Sequence, residues 1–103
     1  MSNLELQRNR LRRLRVLQIL YSDRPEMIGE GMIFQLLRQD ADLDPTQDGV
    51  RRSLDYLEQR GYVQITNKDS KIWIAKITAD GVDYLEGPDP GVQGMAHPSE
   101  FMR

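Results

Sequence analysis

Leu11, Leu14, Val16, Leu17, Ile19, Leu20 and Tyr21 recur at helical spacing near the start of the chain. Ser2-x-x-Glu5 precedes the run as a capping box, in which hydroxyl and carboxylate satisfy each other's unpaired backbone amides. Asp23-Arg24-Pro25 closes it, because proline disfavours helix in the residue before it. The pattern predicts a first helix over residues 3–22. Met27 and Ile28 fit a very short strand. Met32, Ile33, Leu36 and Leu37 then repeat at i, i+4 and predict a second helix over 30–39, which the acidic stretch Asp40 to Asp44 ends. Gly29 and Gly31 form no nucleotide loop and read as letting the chain enter that helix. Asp44-Pro45-x-Gln47 reads as an N-cap, a first-turn proline and a partner three residues after the cap. The stripe Val50, Leu54, Leu57 continues to Gly61, a natural stop, so a third helix is expected over 45–60.

Beyond Gly61 the period becomes alternating. Residues 62–66 and 71–77 are β-branched and aromatic runs flanking Asn67-Lys68-Asp69-Ser70, the signature of a β-hairpin. Thr78 caps a short helix expected over 79–86, with Val82 and Leu85 apolar and Tyr84 beside them. Residues 87–103 hold three Gly and three Pro, show no periodicity and read as a tail that stays mobile unless something binds it. The expected organisation is one α+β, mainly helical domain over 1–86 and a Gly/Pro-rich tail over 87–103, with no internal repeat.

Length and composition agree with a single modest core: 103 residues, 39% apolar and 29% charged. No apolar run approaches the roughly 20 residues needed to cross a bilayer. With no apolar leader and no cysteine, the cytoplasm is the default compartment, and disulfides and thiolate metal sites are out. The net charge of −2 hides an asymmetry. Residues 1–24 carry Arg8, Arg10, Arg12, Arg13, Arg15 and Arg24 against Glu5 and Asp23, a balance of +4, while the remainder carries eight basic against fourteen acidic side chains, a balance of −6. At a pI near 5.3, any contact with DNA must be local.

The order helix, helix, helix, hairpin, helix is that of a winged helix-turn-helix, in which three helices share a core, the third is exposed and the hairpin projects as a wing. The stretch from Thr46 through Arg51-Arg52-Ser53-Leu54 to Gly61-Tyr62-Val63 resembles the recognition helix and first wing strand of bacterial winged-helix regulators. Ile77-Thr78-Ala79-Asp80-Gly81-Val82-Asp83-Tyr84-Leu85 resembles the Leu-Thr-x-x-Gly stretch that closes the wing in the MarR-like and PadR-like groups. The resemblance covers about residues 10–86, and the small size and Gly/Pro tail are similar to short winged-helix proteins encoded by Mu-like prophages. It implies sequence-specific binding of double-stranded DNA by a transcriptional regulator.

Reading a duplex needs long donors on an outward helix face, with cations around it to pin phosphates. At about 100° per residue, Val50, Leu54, Leu57 and Gly61 cluster on one side, so Asp48, Arg52, Asp55 and Gln59 point away, with Gln47 and Arg51 on a flank. Gln47, Arg51 and Arg52 lie in the first half, where base and phosphate contacts usually fall in the resembling families. Asp48–Arg52 and Arg51–Asp55 are spaced for i, i+4 pairs worth about 0.2–0.5 kcal/mol each, weak enough to yield to a phosphate. Asp48 and Asp55 themselves repel phosphates. Lys68 and Lys71 flank the hairpin turn, where lysines of those families reach the duplex; they equally suit a solvated tip that discourages strand-on-strand association. The DNA-binding candidates are therefore Gln47, Arg51, Arg52, Lys68 and Lys71. Trp73, on a strand of Ile and Ala, reads as core.

The five arginines of the first helix form two rows, Arg8, Arg12 and Arg15 on one side and Arg10 and Arg13 on another. They fit a DNA backbone, the acidic helices of a second protomer, or a solvated face. Leu4 and Leu6 extend the apolar pattern beyond the needs of a three-helix core, so the first two turns are expected to pack in a homodimer. That would set two recognition helices about 34 Å apart on a palindromic site.

Nothing points to an enzyme. The only histidine, His97, lies in the tail beside Pro98, and there is neither a cysteine nucleophile nor a Gly-x-x-x-x-Gly-Lys loop. Asp40, Asp42 and Asp44 alternate as in a calcium loop, but Pro45 and Arg51 replace the glycine and glutamate such a loop requires. No metal, cofactor or membrane partner is expected, and no small-molecule ligand is inferable from the sequence. The rival reading is a winged-helix adaptor without DNA activity that contacts protein through the acidic loop 40–44 or the tail motif Glu100-Phe101-Met102.

Overall fold

The computed structural model describes residues 2–101; Met102 of the tail motif lies outside them. Helix α1, Asn3–Ser22, starts with half of the expected capping box: Ser2 Oγ accepts the Glu5 N–H at 3.2 Å, while the Glu5 carboxylate turns to Arg8 and Arg12. It is followed by β1 (Ile28–Gly29), α2 (Glu30–Leu37), a 3-10 turn (Ala41–Leu43), α3 (Gln47–Gln59), β2 (Val63–Thr66), β3 (Ile74–Ile77), α4 (Ala79–Glu86) and a second 3-10 turn (Pro98–Phe101). The chain is thus α+β and mainly helical, with one antiparallel sheet in the order β1-β3-β2. Val63 faces Ile77 and Thr66 faces Ile74 across the hairpin, while Ile28 pairs with Ala75 on the other edge. No helix of the described residues is long and apolar enough to cross a membrane.

Leu17, Leu20, Ile33, Leu37, Leu54 and Leu57 from the first three helices are fully buried, and Ile28, Val63 and Ala75 bring the sheet onto the same core. Trp73, expected in the core, is only half-buried at its margin.

Several boundaries depart from expectation, those of β1, β2 and the end of α3 by one residue and three by more. Helix α2 ends at Leu37 rather than 39. The cap of α3 is Thr46, whose Oγ1 accepts the Gly49 N–H at 2.9 Å; Asp44 instead takes a left-handed conformation (φ 45°) that turns the chain out of the 3-10 turn, so α3 starts at Gln47 rather than 45. Strand β3 starts at Ile74 rather than 71, because Ser70 Oγ binds the carbonyls of Asn67 and Ile72 and curls the intervening chain into the turn.

The larger departure is the tail. Gly91 and Gly94, with φ of 75° and 85°, turn it back over the domain, and Met95, Ala96 and His97 are buried. The Tyr84 hydroxyl donates to the Ala96 carbonyl at 2.7 Å, and His97 Nε2 lies 2.9 Å from the Tyr84 carbonyl. Glu100 finishes the attachment, one oxygen accepting from Arg10 at 2.7 Å and the other from the His97 N–H at 2.8 Å.

Candidate nucleic-acid interface

Helix α3 turns Val50, Leu54 and Leu57 into the core, which leaves Gln47, Asp48, Arg52 and Gln59 exposed. That much follows from the apolar period. What the side chains then do differs by residue.

Arg51 is engaged within the molecule. Its Nε and Nη2 donate to the two oxygens of Glu30 at 2.7 and 2.8 Å, and Nη2 also donates to the Lys71 carbonyl at 2.7 Å. The guanidinium stands 4.7 Å over the Trp73 ring, and the Glu30 carboxylate also accepts the Trp73 N–H. Arg51 therefore ties α3 to the start of α2 and to the hairpin, a bidentate use to which a planar fork is suited. Lys68 is likewise occupied: Nζ lies 2.7 Å from Asp55 and 2.8 Å from Glu58, folding the hairpin tip onto α3. Neither i, i+4 pair expected along α3 forms among the described residues, because Arg51 reaches Glu30 and Asp55 reaches Lys68 instead.

The other three candidates remain open. Gln47 and Lys71 line one groove of about 230 Å³ with Glu30, Gly31 and Ile72. Arg52 lies on the opposite flank, beside a groove of about 410 Å³ between α1 and α3 that Arg12 and Arg13 also line. The structure thus brings Gln47 and Lys71 together and sets Arg52 apart, with the start of α3 between them. Over α3 and the hairpin tip the four cations Arg51, Arg52, Lys68 and Lys71 stand with five carboxylates, Glu30, Asp48, Asp55, Glu58 and Asp69, of which Glu30 binds Arg51 and Asp55 and Glu58 bind Lys68.

The arginines of α1 make contacts within the chain. Arg8 donates to the Asp42 carbonyl at 2.9 Å, and Arg12 to those of Leu43 and Asp44 at 2.6 and 3.1 Å. Arg15 approaches Asp40 at 3.8 Å. On the other side Arg10 holds Glu100, while Arg13 donates to the Gly94 carbonyl at 2.7 Å and covers the Tyr56 ring at 4.0 Å. One row grips the loop before α3 and the other grips the tail, which is why the charge wraps round the helix.

Glu30 was missed by the sequence reading. It stands 21 residues from Arg51, a separation with no periodic signature, and its only local mark is an acid in the first turn of a helix. The Arg51 hydrogen bonds hold its carboxyl below the ordinary glutamate value of 4.5, and Arg10 lowers Glu100 in the same way. A depressed carboxyl stabilises the fold above its unfolded value and loses that contribution as pH falls through its folded one. Trp73 emission is accordingly expected to shift to the red on acidification below about pH 4 as the hairpin attachment fails; an acid titration of fluorescence checks it.

Among the described residues no group of three or more His, Cys, Asp or Glu is placed to hold a metal ion. Comparison of the chain with known protein families, curated proteins and solved structures finds no match.

Proposed function

We propose that the chain is a winged helix-turn-helix domain that binds double-stranded DNA as a transcriptional regulator, with α3 in the major groove and the β2–β3 hairpin as the wing. The observation that carries this reading is the outward polar face of α3, on which Gln47 and Arg52 stand exposed beside the hairpin bearing Lys71. In this reading Arg52 and Gln47 reach base edges or phosphates at the start of α3, and Lys71 meets a flanking phosphate. Arg51 and Lys68 act at one remove, holding the hairpin against α3. The domain works by binding alone, with no catalytic step and no cofactor.

Because the face has no excess of cations, few counterions are displaced. Fluorescence anisotropy on duplex DNA at several salt concentrations is expected to give a log-log slope of roughly −2 to −3, the value for about two or three neutralised phosphates. Arg52→Ala is expected to weaken binding about tenfold with no change in melting temperature. A slope near zero, or an Arg52→Ala protein that binds as tightly as the parent, overturns the assignment.

The adaptor reading has one specific observation in its favour, the internal neutralisation of Arg51 and Lys68 by Glu30, Asp55 and Glu58. It predicts no anisotropy change with any duplex.

A further inference from the structure

The groove between α1 and the start of α3, about 410 Å³ in volume, is lined by the apolar side chains of Leu37, Pro45 and Val50 and by two unpaired charges of opposite sign. Arg52 forms no hydrogen bond or ion pair among the described residues. Its guanidinium lies against the bare face of Gly49, where a Cβ would stand 3.6 Å from Nη2. The Asp44 carboxylate is equally free among the described residues, although Arg12 fixes the carbonyl of the same residue at 3.1 Å. The two charged residues line one groove and do not pair with each other.

The other charges of the groove are already committed. Glu5 pairs with Arg8 and Arg12, Arg12 donates to the Leu43 and Asp44 carbonyls, and Arg13 is held by the Gly94 carbonyl and the Tyr56 ring. Ser53 points to a ligand independently. It is 6% exposed, and its hydroxyl has no hydrogen-bond partner among the described residues. No fully enclosed side-chain polar atom of those residues lacks a partner, so this hydroxyl must open onto the groove that Ser53 lines. A buried residue there presents a hydrogen-bonding group to whatever enters the cleft.

We propose that this groove binds a free α-amino acid with an apolar side chain. The carboxylate pairs with Arg52 and accepts from the Ser53 hydroxyl, the ammonium pairs with Asp44, and the side chain lies on Leu37, Pro45 and Val50. An anion of the same shape would meet the Asp44 charge, and a cation would leave Arg52 uncompensated, so the two walls together select a zwitterion. The volume falls in the range of small-ligand sites, and a ligand the size of leucine supports a dissociation constant on the order of 0.1 mM. Arg52 is also the residue assigned above to DNA. An occupied groove withdraws it from a duplex, a consequence that rests on the DNA reading, whereas the binding site does not.

Calorimetric titration of the full chain with L-leucine, without DNA, tests this. The parent is expected to bind L-leucine at least about tenfold more tightly than 4-methylpentanoate, which lacks the ammonium, or 3-methylbutylamine, which lacks the carboxylate. Arg52→Ala and Asp44→Asn are each expected to weaken L-leucine at least about tenfold with the melting temperature unchanged, since asparagine suits the left-handed turn at 44 as well as aspartate does. In Asp44→Asn the preference for L-leucine over 4-methylpentanoate is expected to vanish, which a merely structural role would not produce. Ser53→Ala is expected to weaken binding about fivefold without lowering the melting temperature. A parent that gives no heat with L-leucine at about 10 mM overturns the proposal. So does one that binds 4-methylpentanoate as tightly as L-leucine, or an Asp44→Asn protein that binds L-leucine as tightly as the parent. An Arg52→Ala protein that loses L-leucine but keeps DNA supports this site and overturns the assignment of α3, while the reverse result overturns this site alone.

Discussion

Gly81→Ala is expected to destabilise the fold by about 3 kcal/mol or more, lowering the melting temperature by over about 10 °C. Gly81 is buried in the first turn of α4, where its N–H donates to Thr78 Oγ1 at 3.1 Å. A methyl group there would collide with the Tyr62 carbonyl oxygen and lie 2.7 Å from Ile77 Cγ1. The backbone has no room to yield: the Tyr62 carbonyl accepts the Thr78 N–H at 3.0 Å, and Thr78 Oγ1 donates to the Gly61 carbonyl at 2.6 Å. Moving either strand end would break the junction at which the hairpin returns to the domain. Gly31→Ala is the internal control. A Cβ at Gly31 meets nothing within 4 Å, so the same chemical change in the first turn of α2 is expected to leave the melting temperature level or slightly higher. Calorimetry or circular-dichroism melts of the two variants check both outcomes, and equal effects would contradict the close approach of α4 to the start of β2.

Truncation after Gly91 is expected to cost about 4 kcal/mol. The truncation removes the burial of Met95, at 2% exposure, and the hydrogen bonds at Ala96, Gly94 and Glu100 together. Met95→Ala alone is expected to cost about 2–3 kcal/mol. Tyr84 reports the attachment from the other side, since burial drives its hydroxyl well above the usual tyrosine range. In the truncated chain that hydroxyl is expected to titrate nearer 10, which ultraviolet absorbance measures. An unchanged melt would mean that the tail is the mobile extension its composition describes.

Why composition misled there is instructive. Gly and Pro weaken regular structure, but a segment can be ordered with no regular structure when a few side chains find a core. Met95 and Ala96 carry no period, and the glycines that read as flexible are the residues that make the return turns. Element order, the hairpin and the inward face of α3 were legible, because they rest on periodicity and capping within short windows; the pairing of Ile28 with Ala75 was not. The cap of α3 was misplaced by one such window: Asp44-Pro45 has the local chemistry of a helix start, but Arg12 holds the Asp44 carbonyl from α1 and Thr46 caps instead. In the candidate site the exposure of Gln47 and Arg52 followed from angular position. The internal commitment of Arg51 and Lys68 did not, since Glu30 lies on another helix and Lys68 reaches Asp55 and Glu58 only once the hairpin has folded back.

The grip of Arg8 and Arg12 on the loop before α3 uses peptide carbonyls, whereas the hairpin and the tail, besides their buried side chains, each carry one carboxylate clasp, Glu30 and Glu100. A carbonyl has no proton to gain, so falling pH weakens the two carboxylate clasps and leaves the hold on the loop before α3 untouched.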